Sequence, residues 1–190
     1  MKYDPKIHHR RSIRLKGYDY TQAGAYFITL CCQDRKYRFG KIVKSLIPHP
    51  TSDNTVPSPE WQVQDMVATM ELNEFGIIAY NEWAKLAERF PNFELDVFQI
   101  MPNHMHGIIV LNDQNDAEKK AGIADIVGAY KSLVANACLA ICKARNEILG
   151  KLWQRNYHEH IIRDERAYQN ISTYIINNPS KWTEDKFYEQ

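Results

Sequence analysis

The chain has 190 residues, which is enough for one domain with a sizeable core and too few for two. Hydrophobic residues make up 44% of it and charged residues 25%, as in an ordinary globular protein, and the formal net charge is only +1 at pH 7. This small charge excludes the strongly basic class of proteins that coat duplex DNA, so any contact with nucleic acid must depend on local patches. Uninterrupted apolar runs are short and the N-terminal residues are charged, so we expect no membrane span and no signal peptide.

The four cysteines form two pairs, Cys31-Cys32 and Cys138 with Cys142. Neither pair has the CxxC spacing of a zinc site, and we expect small buried apolar side chains instead. Reduced thiols are typical of the cytoplasm, so the expected localisation is cytoplasmic.

We predict one domain over residues 1–190 with a basic N-terminal arm over about 1–20. Such an arm, with Tyr18 and Tyr20 after it, can pair phosphates and stack unpaired bases, although a solvated tail has the same composition. The positive side chains of the arm are Arg10, Arg11, Arg14 and Lys16, next to His8 and His9.

The first half of the chain then predicts strands around a long insertion. Residues 26–32 are aromatic and β-branched and predict a strand, and residues 67–72 predict a second, shorter one. Between them, residues 41–66 are interpreted as a loop insertion, because four prolines fall within 46–60 among Ser, Thr, Asp and Asn.

The second half alternates helices and strands. Asn73 can cap an amphipathic helix that ends by Pro91, and strands are predicted over 95–100 and 104–111. A helix over 123–146, a strand over 153–162 and a last helix capped by Asp164 follow, and that helix stops at Pro179. This order predicts an α+β, ferredoxin-like (RRM-like) sandwich in which helices cover one face of an antiparallel sheet.

His104 and His106 are two residues apart at the start of a predicted strand, so both side chains point to one face. Two such imidazoles can converge on one cation such as Zn²⁺, Mn²⁺ or Ni²⁺. His158 and His160 have the same spacing on another predicted strand, so spacing cannot choose between the pairs. Context favours the first pair, because a Pro-Asn turn leads directly into a buried strand there.

Five segments in chain order resemble the single-tyrosine HUH transposases, and in particular the REP-associated tyrosine transposases. The central one is Met-Pro-Asn-His-Met-His-Gly-Ile-Ile at 101–109, which resembles the HUH signature. The others resemble the family's N-terminal arm and first strand, the start of its second helix, its late strand and its catalytic helix. They are 11–29, 128–132, 153–164 and 174–179.

The resemblance implies an additional C-terminal catalytic helix in which Tyr174, shortly before Asn-Pro, is the nucleophile. From the residues alone Tyr130, Tyr157 and Tyr168 were equally available. The resemblance also implies that Asn178, at i+4 from Tyr174, is a third metal ligand beside His104 and His106, with Mg²⁺ or Mn²⁺ as the cofactor. Asn178 can equally be an ordinary helix-terminal residue, and Pro179 disfavours helical geometry there.

The implied activity is cleavage and rejoining of single-stranded, hairpin DNA of the REP type through a 5′-phosphotyrosine, with no membrane partner and with a monomer favoured over a homodimer. Lys131 can contact phosphate or be a solvated helix lysine. Two alternatives stay open: a metallonuclease in which water attacks, and a domesticated DNA-binding protein without catalysis.

Overall fold

The computed structural model describes residues 17–46, 66–113 and 121–188. A four-stranded antiparallel sheet runs through it in the order β4-β5-β1-β6. Its strands are β1 (Gly24–Cys31), β4 (Phe93–Ile100), β5 (His104–Leu111) and β6 (His158–Ile162). The histidine strand β5 is therefore central, as its two apolar faces predict.

A separate two-stranded sheet consists of β2 (Gly40–Leu46) and β3 (Met66–Leu72), which pair antiparallel from Gly40↔Leu72 to Leu46↔Met66. The loop predicted over 41–66 is thus wrong for residues 41–46 and for Met66. Only two β-branched residues, Ile42 and Val43, mark this strand, and its pairing partner lies beyond the proline-rich segment, so local pattern was insufficient. Residues 47–65 and the arm residues 1–16 lie outside the described part of the chain.

Three helices are α1 (Glu74–Ala84), the single turn α2 (Leu86–Arg89) and α3 (Ile123–Ala144). The Asn73 side chain accepts a hydrogen bond from the Gly76 backbone N–H at 2.9 Å, which confirms the predicted cap. The helix predicted up to Pro91 is interrupted at Lys85, which joins α1 to α2.

The main core lies between the sheet and helices α1 and α3. Alternate β1 residues Tyr26, Ile28 and Leu30 are buried in it. Gly107 follows His106 on β5, and a Cβ atom there would lie 2.8 Å from the Trp83 ring, so glycine lets α1 approach the strand closely.

Helix α3 is long and apolar enough to cross a membrane by length and composition. Its apolar stripe packs in the core cluster that includes the sheet, and the Tyr130 hydroxyl donates to the Ala79 carbonyl at 3.0 Å. It is thus accounted for as the core helix of a folded domain. The buried residues of its stripe are Ile123, Ile126, Val127, Tyr130, Val134, Cys138 and Cys142.

The last helix, α4 (Glu165–Asn177), packs against β4 and β5 on the opposite face from α1 and α3. Asp164 caps it by accepting from the Ala167 N–H at 2.8 Å, and the Tyr168 hydroxyl donates to the Asp96 carboxylate at 2.8 Å. The strand predicted over 153–162 is confirmed only for His158–Ile162, because Trp153 makes just one isolated bridge, to Cys32. The fold is the expected one: helices on one face of the sheet and one further helix on the other.

Candidate active site

The imidazoles of His104 and His106 meet on the α4 face of β5. Their Nε2 atoms are 3.0 Å apart, and both side chains are buried, at 0% and 1% exposure. Each Nδ1 has its own partner, since His104 bonds to Asn103 Oδ1 at 2.8 Å and His106 to Thr29 Oγ1 at 2.9 Å. Both rings therefore present Nε2 to one point.

The hydrogen bonds around Asn103 fix the tautomer of His104. The Asn103 Nδ2 donates to the Phe187 carbonyl at 2.7 Å, which orients the amide so that its Oδ1 faces the ring. An amide oxygen only accepts, so His104 carries its proton on Nδ1 and keeps a lone pair on Nε2. This is the form in which histidine binds a metal.

Burial also keeps both rings neutral. It lowers the pKa of His104 to about 3, and the nearby positive charges of Lys186 and Arg35 act in the same direction. Burial, followed by the neighbouring His104, holds the pKa of His106 well below its usual range. A pair that resists protonation is available as a ligand pair throughout the neutral pH range.

Tyr174 brings its hydroxyl to the same point from α4. The oxygen is 3.1 Å from His106 Nε2 and 3.2 Å from Asp185 Oδ2, and the ring stands edge-on to Phe27. The side chain as a whole is 40% exposed, so it is accessible from solvent, and its hydroxyl end is only partly buried. Burial of that end, and then the Asp185 charge, raise the pKa of Tyr174 to about 12.

Asn178 lies one turn beyond Tyr174 and is buried. It keeps helical geometry, with φ −57° and ψ −41°, so the expected effect of Pro179 is wrong; its N–H still reaches the Ile175 carbonyl. Its Nδ2 donates to Asp185 Oδ2 at 2.7 Å, whereas its Oδ1 is buried with no hydrogen-bond partner among the described residues. An unpaired buried carbonyl oxygen is costly, and a cation is one ligand that would satisfy it.

These side chains fit a divalent cation. Ligand atoms of His104, His106 and Asp185 all lie within 4.8 Å of one another, and the unpaired Asn178 oxygen belongs to the residue bonded to Asp185. The two Nε2 atoms are 3.0 Å apart, which is close enough for one ion to bind both at the usual metal–nitrogen distance of about 2.1 Å. A donor set of imidazoles with carboxylate or amide oxygen suits Mn²⁺ and similar ions.

The family is shown by comparison with known proteins. A family model described as "Transposase IS200 like" matches residues 78–178, just over half of the chain, including the histidine pair, Tyr174 and Asn178. The chain belongs to the IS200-like transposase family. The sequence-based resemblance to these transposases is thereby confirmed, and the protein is a member of a family of enzymes that act on DNA.

Three similar proteins align with most of this chain. A Haemophilus influenzae protein of uncharacterised function is 35% identical over 98% of this chain and 97% of its own. Another from Haemophilus influenzae, whose name assigns it to the REP-associated tyrosine transposases, is 27% identical over 86% of this chain and 74% of its own. A solved REP-associated tyrosine transposase bound to a REP hairpin shares the fold, with TM-score 0.54 and 19% identity over 92% of this chain and 77% of that one.

The second histidine pair lies on the same face of the sheet but outside the site. His158 pairs with Thr29 and His160 with Phe27 on the edge strand β6, and both are exposed. Thr29 is also the register partner of His106, so the pairs are separated by the width of β1.

Of the basic residues that the sequence predicts to contact DNA, the structure describes only Lys131. Arg10, Arg11, Arg14 and Lys16 lie outside the described residues. Lys131 donates to the Gln154 carbonyl at 2.6 Å and the Arg155 carbonyl at 3.1 Å, and burial lowers its pKa, so two donors are already committed within the protein. A phosphate contact by Lys131 stays a prediction. The partly buried Tyr18 and Tyr20 pack on the core ring of Tyr26.

Asp185 is the site residue that sequence reasoning missed. It follows the 3-10 turn Trp182–Glu184, beyond the end of α4, and therefore has no periodic relation to Tyr174. The only local signal is an acidic residue between aromatic ones, Trp182 and Phe187, which is too weak to single it out.

Proposed function

We propose that this protein cuts and rejoins single-stranded hairpin DNA through a 5′-phosphotyrosine on Tyr174, with a divalent metal held by His104, His106 and Asn178. One observation carries the proposal: the Tyr174 hydroxyl is 3.1 Å from His106 Nε2 within one chain. A covalent nucleophile and a buried ligand pair at this distance can act on the same phosphate.

In the proposed reaction the Tyr174 oxygen attacks the scissile phosphorus and a new O–P bond forms. The P–O3′ bond breaks, so the 3′ oxygen leaves and is protonated by solvent, while the phosphate stays on the protein. Rejoining is the reverse, in which a 3′ hydroxyl attacks the phosphotyrosine and the tyrosine oxygen leaves. The phosphodiester energy is conserved in both directions.

Attack requires that the Tyr174 proton has an acceptor, because its pKa of about 12 keeps the hydroxyl protonated at neutral pH. Because His106 Nε2 would hold the metal, Asp185 Oδ2, 3.2 Å from this hydroxyl, is the proton acceptor that the described residues offer it. We assign Asp185 as the general base and as the group that orients Tyr174 and Asn178.

The metal would be held by the two Nε2 atoms and the unpaired Asn178 Oδ1, with Asp185 beside them. When bound, it supplies charge stabilisation at the phosphoryl oxygens and polarises the scissile bond. Of Mg²⁺ and Mn²⁺, the two imidazoles favour Mn²⁺. Thr29 and Asn103 set the ring orientations through Nδ1.

The proposed substrate is hairpin DNA with a single-stranded flank, of the REP type. Support comes from the likeness to a relative named for REP association and from the basic side chains Arg10, Arg11, Arg14 and Lys16 in the sequence. We further propose a monomer, since the nucleophile and the histidines reach each other without a second chain. The single domain and the cytoplasmic localisation stay predictions from the sequence.

The test is capture of the covalent intermediate. Wild-type protein, Mn²⁺ and hairpin DNA with single-stranded flanks, labelled at its 3′ end because the strand on that side of the cut stays on the protein, should give a labelled protein band on a denaturing gel. Tyr174→Phe should give none, whereas Tyr168→Phe, a matched change on the same helix, should behave like wild type. If Tyr174→Phe cleaves the DNA as fast as wild type, water is the nucleophile and the protein is a hydrolytic metallonuclease. If neither cleavage nor metal binding is seen in wild type, it is a DNA-binding protein without catalysis.

A further inference from the structure

A groove of about 340 Å³ lies next to the candidate active site, between the β2–β3 sheet and the segment that follows α4. Its size is within the range of about 300–1,000 Å³ found for small-molecule sites. Pro102 and Pro179 belong to its wall, and each directly precedes or follows a residue of the candidate site, Asn103 and Asn178 respectively. The groove is therefore continuous with the site along the chain and in space.

Three aromatic rings give the groove its character. Trp182 is buried at its base, and the rings of Tyr37 and Tyr188 lie 5.7 Å and 5.5 Å from it, centroid to centroid. Tyr37 is 45% exposed. On its other side Trp182 contacts the His104 ring at 5.8 Å, so one indole separates the groove from the histidine pair.

The charge of the groove is positive. Lys41 and Lys44 from β2 line it together with the hydroxyl side chains of Ser180 and Thr183, and no acidic side chain lines it among the described residues. Lys41 pairs with Glu71 at 3.6 Å, but both groups are well exposed, and such a pair is exchanged readily for another anion. Aromatic faces beside lysines are the combination that binds a nucleotide of a single strand, since the rings stack on the base and the lysines pair the phosphate.

We infer that this groove binds one unpaired nucleotide next to the scissile phosphate, with its base against Tyr37 and Tyr188 and its phosphate near Lys41 and Lys44. The inference rests on the proposed function, because it takes single-stranded DNA as the substrate. The residues that give the groove its rings and charges lie outside 78–178, the range that matches the family. The family match therefore does not by itself assign this groove.

The experiment measures binding rather than cleavage. Full-length protein in EDTA is titrated into three fluorescent hairpins, which carry no tail, a 5′ thymidine tail or a 3′ thymidine tail of about six nucleotides, within the usual site size of single-strand binders. Wild type should prefer one tailed hairpin over the tail-less one. Tyr37→Ala should weaken binding of that tailed hairpin about tenfold and leave the tail-less hairpin unchanged, as expected for loss of one stacked base.

Tyr80→Ala is the matched control, because Tyr80 is equally exposed, at 48%, and lies on α1 on the far side of the sheet. Lys44→Ala is the second variant; being exposed, it should not disturb folding, and it should flatten the salt dependence of tail binding by about one phosphate contact. Abasic substitutions along the tail should reveal one position at which loss of the base weakens binding to wild type. The same substitution should not weaken binding to Tyr37→Ala any further. Melting temperatures confirm that each variant is folded.

The groove assignment is overturned if Tyr37→Ala and Lys44→Ala bind the tailed hairpins as wild type does, or lose affinity equally for the tail-less one. If wild type nevertheless forms a stable covalent Tyr174 adduct, the proposed function stands and only the assignment of the groove is wrong. Absence of both an adduct and any tail preference in wild type would instead remove the proposed function.

Discussion

The two histidine pairs of this protein are a natural comparison, because they share spacing, sheet and sheet face. His104 and His106 lie on the central strand β5 and are buried; His158 and His160 lie on the edge strand β6 and are exposed. Thr29 on β1 is the register partner of one residue from each pair. The chemical difference must therefore come from what covers each pair.

Helix α4 and the segment after it supply that cover. Helix α4 packs on β4 and β5, and it places Tyr174 and Asn178 near the central pair, while Asp185 follows from the next turn. Strand β6 lies two strands away from β5, across β1. A His-x-His spacing on a strand thus points both imidazoles to one face of the sheet. A second structural element that covers this face decides whether the imidazoles form a site.

The largest expected effect is on cleavage. His104→Ala or His106→Ala should reduce the rate of covalent adduct formation about a thousandfold or more, because a metal contributes several kcal/mol and each 1.36 kcal/mol is tenfold. His158→Ala should stay within about threefold, as for an ordinary surface substitution. Rates are measured by denaturing gel with Mn²⁺. If His158→Ala loses as much rate as His104→Ala or His106→Ala, the two pairs are equivalent and the assignment is contradicted.

The next effect separates the proton acceptor from the metal ligands. Asp185→Asn should reduce the adduct rate about a hundredfold, the usual scale of general base catalysis, while calorimetric Mn²⁺ binding persists. His106→Ala should lose both. The control is Glu184→Gln, because Glu184 is a neighbouring acid that lines one small cavity together with Tyr174 and Asp185. This variant should retain the rate. If Asp185→Asn abolishes Mn²⁺ binding, Asp185 is a ligand and the proton must leave by another route.

Burial of the central pair should be visible in the stability of the metal-free protein. The folded pKa of His104 is about 3, below its unfolded value of 6.5, so the unfolded state binds more protons as pH falls through that interval. Stability is therefore full above about pH 6.5 and declines toward pH 3, by about 2 kcal/mol for this histidine at pH 5. Urea unfolding in EDTA at several pH values measures the slope. His104→Gln should flatten it; an unchanged slope would mean that His104 is not desolvated.

The smallest effect concerns Thr29, whose hydroxyl bonds to Nδ1 of His106 in the central pair. Thr29→Val keeps the strand and its shape but removes the partner of His106 Nδ1, and it should weaken Mn²⁺ binding about tenfold, as other changes behind metal-bound histidines do. Thr69→Val on the exposed strand β3 is the control. Unaltered calorimetric affinity in Thr29→Val would show that the ring needs no support.

Much of the fold follows from local pattern. The caps Asn73 and Asp164, the turn at Pro102-Asn103 and the central strand after it are all read directly from residue types, because each depends on chemistry within a few positions. Strand β2 was not, since its partner β3 lies across residues 47–65 and nothing local specifies that pairing.

The candidate site was predictable only in part for the same reason. His104 and His106 follow from strand alternation and turn context, and Tyr174 with Asn178 from the family resemblance. Asp185 joins them only through the path of the chain after Pro179, which includes the 3-10 turn Trp182–Glu184. Three-dimensional proximity of that kind has no sequence period.

The contact between Tyr174 and His106 inside one chain also has a consequence for reaction order. A site complete in each molecule gives a rate per chain that does not change on dilution, whereas a site shared between two chains loses activity as the dimer dissociates. Mixing Tyr174→Phe with His106→Ala protein should accordingly restore no cleavage, because neither molecule can lend the other its missing half.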